Sequence, residues 1–187
     1  MKTATVNGQP VTEAAVKFEL DRLVKFYANH GISPEEVKKS LPVLAEKALE
    51  QAIGAKLLLD RAAQLEMPVD PAAVDAEVAK IAAQLGGEDG YRKALAAQGI
   101  DEKSFRRELE KGVRVNALVE KACAGVDDPT DDSVAAFYAA HRSEYGGRTL
   151  VDAHDEIKDL LRHEARGRAM DAYVAELREA AKIEYKD

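Results

Sequence analysis

The sequence has few of the residues that cross-link or anchor a small fold. It contains a single cysteine, Cys123, among 187 residues, so no disulfide can form within the chain. Tryptophan is absent and aromatic residues make up 5% of the chain. The core therefore has to be built from Ala, Leu, Val and Ile, a composition that favours helices. Because a chain of this length can bury roughly 70% of its unfolded surface, we expect it to fold without a metal ion or a cross-link.

Two further absences exclude classes of function. Lys and Arg number 27 against 34 Asp and Glu, which gives a net charge of -7 without a basic block. This balance argues against a nucleic-acid partner and against docking on an anionic membrane, because both depend on clustered cations. No apolar run approaches the roughly eighteen residues of a membrane span, so we expect no membrane insertion.

The start of the chain lacks the continuous apolar segment of a signal peptide. Asn7, Gly8, Pro10 and Glu13 interrupt any such segment. We therefore expect either a cytosolic protein or a mature form whose export signal has been removed.

Proline, glycine and capping residues divide the sequence into amphipathic helices. Thr12 caps the first helix, which ends at His30-Gly31, and the run Ser33 to Glu36 is a capping box for a short second helix. We predict that this second helix stops before Pro42 and that a new, long helix runs from Pro42 to Leu65. Further helices are predicted to begin after Asp70, near Tyr91, after Asp101, after Thr130 and near Val151.

Short strands are predicted at the two ends of the chain. Ala4–Val6 precedes the turn residues Asn7-Gly8, and Lys182–Tyr185 alternates in polarity. An isolated short strand would leave its backbone groups unpaired, so we expect the two segments to pair. The predicted fold class is all-α, with a minimal β pair that joins the N- and C-termini.

In order, these segments resemble the chaperone module of the SurA-like and PrsA-like parvulin foldases, which is related to the chaperone domain of trigger factor. The resemblance covers nearly the whole chain and implies a multi-helix module that binds unfolded polypeptide without ATP. The segments that carry it are Ala4–Thr12, Ala48–Ile53 with Lys56–Leu59, Val74–Val78, Leu85–Glu88, Ala94–Gly99, Phe105-Arg106, Phe137–His141, and Tyr173–Leu177 with Ala181–Tyr185.

The chain departs from these foldases where their prolyl isomerase domain is inserted. Residues 146–150 occupy that position, and five residues cannot form a catalytic domain. We therefore expect residues 1–145 and 151–187 to form one discontinuous helical module, closed at the 146–150 joint. Because the isomerase domain is missing at this position, we do not carry over the isomerase activity of the family and predict that the chain is not an enzyme. Residual isomerase activity is the alternative.

No set of residues has the spacing of a catalytic or metal site. His154 and His163 are nine positions apart and so lie on opposite sides of a helix. The acidic run Asp127–Asp132 lacks the ligand spacing of an EF-hand and fits a helix N-terminus capped by Thr130. Cys123 has no evident catalytic partner. We predict no catalytic residue, no metal and no cofactor.

An apolar surplus is the feature that predicts a function. Phe18 and Phe26 lie away from the main apolar stripe of the first helix, and three consecutive leucines follow Lys56. Either these helices are buried on two sides, or one side is left for a partner. The second interpretation predicts a concave surface for extended, unfolded clients, here named the predicted client surface: Phe18, Phe26, Tyr27, Leu57, Leu58, Leu59, Phe105 and Tyr138.

Two questions about partners and location stay open in the sequence. A structural or assembly module is another alternative, in which the apolar surface serves a homodimer formed by swapping the C-terminal helix across Gly146-Gly147. The family resemblance favours the periplasm, and the cytoplasm is the alternative.

Overall fold

The computed structural model describes residues 2–186. Within this range the chain forms three β-strands, seven α-helices and one short 3-10 helix. The strands are β1 (Thr3–Val6), β2 (Gln9–Pro10) and β3 (Ile183–Lys186). The helices are α1 (Glu13–Asn29), α2 (Pro34–Gln64), α3 (Pro71–Gln84), α4 (Glu88–Gln98), α5 (Glu102–Ala122), α6 (Asp131–Ala140) and α7 (Leu150–Ala180).

The small sheet joins the two ends of the chain, as the sequence predicted. β1 pairs antiparallel with β3, with Ala4 opposite Tyr185 and Val6 opposite Ile183. The prediction of a single strand pair was incomplete, because β2 adds a third strand in the order β2-β1-β3. Asn7 and Gly8 both have positive φ, which allows the chain to reverse within two residues.

The core beneath this sheet is built by β1, α1 and α2. Ala4 and Val6 of β1 pack with Val16 of α1 and with Leu49 and Ile53 of α2, and all five are buried. Leu177, Ala181 and Ile183, from the far end of the chain, pack against the same cluster. Burial of these side chains accounts for the closure of the termini, since a three-stranded sheet this short is not stable alone.

Polar contacts add to this closure. Arg178 forms an ion pair with Glu50 of α2, and the Tyr185 hydroxyl donates a hydrogen bond to Glu50 Oε1 at 3.0 Å. Burial raises the pKa of the Tyr185 hydroxyl, and the neighbouring Glu50 carboxylate raises it further. The hydroxyl therefore stays protonated and donates to Glu50 at neutral pH.

The chain divides into two compact units. Unit 1 comprises Met1–Leu118 together with Glu176–Asp187, and unit 2 comprises Val119–Ala175. Unit 2 has its own core, in which Val134 of α6 packs with Ala153 and Ile157 of α7. The 146–150 joint lies inside unit 2, and its role as the place of a missing domain stays a prediction.

Most helix starts agree with their predicted caps. The Thr12 hydroxyl accepts from the Ala15 amide, Ser33 and Glu36 form a complete capping box, and Thr130 accepts from the Ser133 amide. Asp101 accepts from the Ser104 amide at 2.9 Å. α4 begins at Glu88, three residues before the predicted start, with Gly87 as its N-cap.

The prediction of two helices separated at Pro42 was wrong. α2 runs unbroken from Pro34 to Gln64 with Pro42 inside it. Proline has no amide hydrogen to donate to the carbonyl of Lys38, so the helix loses a hydrogen bond there. Val37 and Leu44 lie on either side of Pro42, seven residues apart, and both are buried. Because apolar side chains are buried both before and after Pro42, packing stabilises one continuous helix despite the lost hydrogen bond.

Replacement of Pro42 by alanine is expected to stabilise the protein by about 1–3 kcal/mol. The alanine amide restores the bond to the Lys38 carbonyl, and part of this gain is offset because proline restricts the unfolded chain. Urea denaturation measures the change in the free energy of unfolding. Val43→Ala, at the adjacent exposed position, is the control and is expected to stay within about 0.5 kcal/mol of wild type. An unchanged stability for Pro42→Ala would show that the proline costs nothing in this helix.

Candidate functional site

Two phenylalanines of the predicted client surface lie exposed on α1. Phe18 has 67% and Phe26 has 56% of its surface accessible, and these are two of only four phenylalanines in the chain. Eight helical residues separate them, which corresponds to about 12 Å along the axis and about 80° around it. Phe18 and Phe26 therefore lie on one side of α1, and we name them the α1 phenylalanine pair.

Neighbouring rings hold Phe26 in place at the end of α1. The His30 ring lies 4.1 Å from the Phe26 ring, and His30 Nδ1 is 2.8 Å from the carbonyl oxygen of Phe26. Tyr27 is half-buried and meets Phe26 edge to face, with ring centroids 5.9 Å apart. The Phe26 ring thus packs against Tyr27 and His30 while more than half of its surface stays accessible.

The same arrangement closes α6. There the Phe137 and His141 rings are stacked at 4.1 Å, and His141 Nδ1 is 2.9 Å from the Phe137 carbonyl oxygen. Both helices end in the pattern Phe-Tyr-Ala-x-His, a repeat that our sequence analysis missed although it is visible in the letters. In both helices the phenylalanine carbonyl oxygen also accepts from the backbone amide of the same histidine, at 3.2 Å in α1 and 3.0 Å in α6.

The three leucines of α2 are split between core and surface. Leu57 is 5% exposed and packs in the unit 1 core, Leu58 is half-buried, and Leu59 is exposed. Three successive helical positions span about 200° of the helix surface, so they cannot all face outward. Of the three, Leu59 is the one that offers an open side chain.

Phe105 and Tyr138 take part in packing within their own units. Phe105 meets the buried Tyr91 edge to face at 5.7 Å in unit 1. Tyr138 packs against the unit 2 core, and its hydroxyl donates to the Arg148 carbonyl oxygen at 2.5 Å. Both side chains are half-buried. The structure therefore leaves Phe18, Phe26 and Leu59 as the most accessible members of the predicted client surface.

A groove in unit 1 lies between α2 and α5, with a volume of about 500 Å³. This volume falls within the usual range for ligand pockets, roughly 300–1,000 Å³. We name it the α2–α5 groove. It is lined by Lys56, Leu59, Asp60 and Ala63 of α2 and by Arg107, Glu110, Lys111 and Arg114 of α5.

One face of α5 carries a row of cations that the sequence analysis did not identify. Lys103, Arg107, Lys111 and Arg114 follow one another at spacings of four, four and three, so they lie on one side of the helix. We name these four residues the α5 basic row. We expected no basic block because these cations are not consecutive in the sequence. Their spacing of three and four residues, which places them on one side of a helix, was the signal that could have revealed the row.

Groups that could carry chemistry are held in structural contacts. Hydrogen bonds to Asp155 and then to Asp131 raise the pKa of His154, and the second bond ties α7 to the start of α6. The buried Cys123 thiol lies 3.8 Å from the carbonyl oxygen of Arg166. Across residues 2–186, no three His, Cys, Asp or Glu side chains are placed to hold a metal ion.

A helix that crosses a bilayer needs roughly 18 or more predominantly apolar residues. In residues 2–186, no helix is both long and apolar enough to cross a bilayer.

This arrangement of helices around a sheet made from both termini is the fold of SurA-like chaperones. A solved structure from work on PEB4 and the periplasmic protein Cj1289, described as two structurally related SurA-like chaperones of Campylobacter jejuni, superimposes with a TM-score of 0.59. The match covers 98% of each chain at 14% sequence identity. At this identity the similarity establishes the fold.

The sequence places the chain in a family. Residues 1–119 match the SurA-like N-terminal domain, and the chain belongs to this family. It is similar to the chaperone SurA of Chromobacterium violaceum, with 29% identity over 161 residues, covering 83% of this chain and 37% of the relative. It is also similar to the putative peptidyl-prolyl cis-trans isomerase NifM of Azotobacter vinelandii, with 26% identity over 106 residues, covering 54% of this chain and 36% of the relative. The chain thus spans little more than a third of the length of these two relatives.

Proposed function

We propose that this protein is an ATP-independent chaperone that binds unfolded polypeptide segments through an apolar surface of unit 1. The observation that carries the proposal is the exposure of the α1 phenylalanine pair. Half of the chain's phenylalanines are left in water, although burying one fully would contribute roughly 1.5–3 kcal/mol. Membership of the SurA-like family and the name of the Chromobacterium relative support the same role.

The spacing of the pair fits an extended client. In an extended chain, residues four positions apart face the same side and lie about 13 Å apart, close to the axial separation of Phe18 and Phe26. A segment with two apolar side chains at that spacing could contact both rings. Such binding is weak and tolerant of sequence, because the disordered segment loses conformational entropy on contact. The net charge of -7 favours solubility and repulsion between copies.

The test is suppression of aggregation of a chemically unfolded model client, followed by light scattering. The double variant Phe18→Ala/Phe26→Ala is expected to need about tenfold or more protein for the same protection, because two apolar contacts are lost. The matched control, Leu85→Ala/Ile100→Ala, removes two other partly exposed apolar side chains of unit 1. Equal protection by wild type and the phenylalanine variant would reject the pair as the client surface, and a wild type that protects no client would reject the chaperone role.

We also propose that this chain has no prolyl isomerase activity. The proposal is supported by the shortness of the 146–150 segment, and the family match over residues 1–119 concerns the SurA-like N-terminal domain. The Azotobacter relative is named as a putative prolyl isomerase, which is the reason to measure isomerase activity in this chain. A proline-containing peptide assay with this chain should show no rate enhancement, and any enhancement that copurifies with the protein would overturn the proposal.

A periplasmic location is proposed on the same family grounds, since one of the two proteins in the matched structural work is described as periplasmic. The alternative role as an assembly module predicts a dimer by helix swapping across Gly146-Gly147. Sedimentation distinguishes the two roles, because a concentration-independent dimer that fails to protect clients would favour assembly.

A further inference from the structure

The α2–α5 groove has a charge opposite to that of the protein as a whole. Four cations line it, namely Lys56, Arg107, Lys111 and Arg114, against two carboxylates. The chain carries a net charge of -7. A groove that is locally positive on an acidic protein attracts ligands that the rest of the surface repels.

The cations of the groove differ in whether a carboxylate of the chain lies within ion-pair distance. Lys56 is bonded to both oxygens of Asp60 at 2.8 Å, and Lys111 is paired with Glu108 at 2.7 Å. Within residues 2–186, neither Arg107 nor Arg114 forms an ion pair with a carboxylate; Arg107 donates to the Ser104 hydroxyl and the Lys103 carbonyl. A guanidinium offers a fork of donors that matches a carboxylate.

The groove extends along α5. A second hollow of about 450 Å³ is lined by Glu102, Lys103 and Arg106, and by Arg107 and Glu110, which also line the α2–α5 groove. The two hollows therefore adjoin along the α5 basic row. This elongated shape suits an extended ligand better than a compact one.

The lining also distinguishes between anionic ligands. Leu59 and Ala63 provide an apolar wall on the α2 side, and Leu59 belongs to the predicted client surface. Asp60 and Glu110 would repel a continuous chain of phosphates, which binds through uninterrupted cationic surface. A polypeptide with spaced carboxylates can place its charges at the arginines and its apolar side chains against Leu59.

We infer that the α2–α5 groove binds extended polypeptide segments in which apolar residues alternate with carboxylates. This inference rests on the proposed function, because the bound segment would belong to an unfolded client. It adds a charge preference that the exposed phenylalanines alone do not provide. Arg107 and Arg114 set that preference, and the α1 phenylalanine pair contributes apolar contact on a separate helix.

The experiment measures peptide affinity by fluorescence anisotropy with the full chain. A short labelled peptide of Leu, Glu, Ser and Gly is compared with the same peptide carrying Lys at every Glu position. The acidic peptide should bind about tenfold more tightly at low salt, since two charge pairs distinguish the complexes. The difference should shrink when salt is raised, because the Debye length is about 10 Å at 0.1 M. Equal affinity, or tighter binding of the basic peptide, would overturn the inference.

Two variants assign the preference to the groove. In Arg107→Glu/Arg114→Glu, the affinities for the two peptides should lie within about twofold of each other. Arg107→Gln/Arg114→Gln removes the charges without reversing them and should reduce the preference for the acidic peptide in part. The control Lys38→Glu/Lys39→Glu makes the same charge reversal at exposed positions of α2. This control should keep the preference for the acidic peptide. If the control loses the preference as fully as the arginine variants, net charge rather than the groove is responsible and the inference fails.

Three further outcomes separate this inference from competing explanations. Single-stranded oligothymidylate that binds more tightly than the acidic peptide would assign the groove to nucleic acid and overturn the peptide proposal. A wild type that protects no client but prefers the acidic peptide would reject the chaperone role while supporting the groove's preference. A wild type that protects clients but binds both peptides equally would reject the inference alone.

Discussion

Replacing Ile53 by alanine is expected to lower the free energy of unfolding by about 3–5 kcal/mol. Ile53 is 0% exposed in the cluster that joins β1, α1 and α2, and residues from the end of the chain pack against the same cluster. The substitution removes three carbon atoms from this packing and leaves a cavity that the surrounding elements cannot fill fully. Because β1 brings β3 to this core, the loss should also weaken the closure of the termini.

Urea denaturation gives the size of the Ile53 effect, and hydrogen exchange locates it. Val43→Ala removes an apolar group from the same helix at a position that is 57% exposed, and it should cost little. Exchange of the β1 and β3 amides should rise in Ile53→Ala and stay unchanged in Val43→Ala. A loss below about 1 kcal/mol for Ile53→Ala would mean that this cluster is not the main core of unit 1.

Replacing Ile157 by alanine is expected to cost about 2–4 kcal/mol, with its effect centred on unit 2. Ile157 is 0% exposed and is the largest of the three buried side chains that form the unit 2 core with Val134 and Ala153. Ile157 has fewer buried neighbours than Ile53, so its truncation removes fewer contacts and the expected cost is smaller. Amide exchange should therefore increase in α6 and in the first half of α7 more than in β1 or α2.

The matched control is Val151→Ala, in the first turn of the same helix, where the side chain is 85% exposed. It should leave both stability and exchange close to wild type. An equal increase in exchange throughout residues 2–186 after Ile157→Ala would contradict a core that belongs to unit 2 alone.

The local elements could be predicted because their signals are local. Thr12, Ser33 with Glu36, Asp101 and Thr130 each bond the amide that their position predicts, since a cap needs only its own helix turn. The pairing of β1 with β3 was also predicted, because a short strand requires a partner for its backbone groups and the chain offered one at the other end.

The candidate site was predicted less completely. Phe18 and Phe26 were identified as surplus to the α1 stripe and are exposed, and their client role stays a prediction. Leu57 was included with them but is buried, because membership of a run of leucines does not reveal which face of α2 meets the core. The α5 basic row was missed because its cations are neighbours only once the helix is formed.

The amino-acid sequence by itself determined where most helices begin, that the two ends of the chain form strands, and which family the chain resembles, because caps, turns and periodicity act within a few residues. Tertiary structure alone decided that α2 continues through Pro42, since burial of Val37 and Leu44 on both sides outweighs the lost hydrogen bond. It also decided which apolar side chains stay in water and where Arg107 and Arg114 face Leu59 across a groove. Burial, and the elements that face each other across a groove, depend on residues distant in the chain, so local patterns specify them only in part.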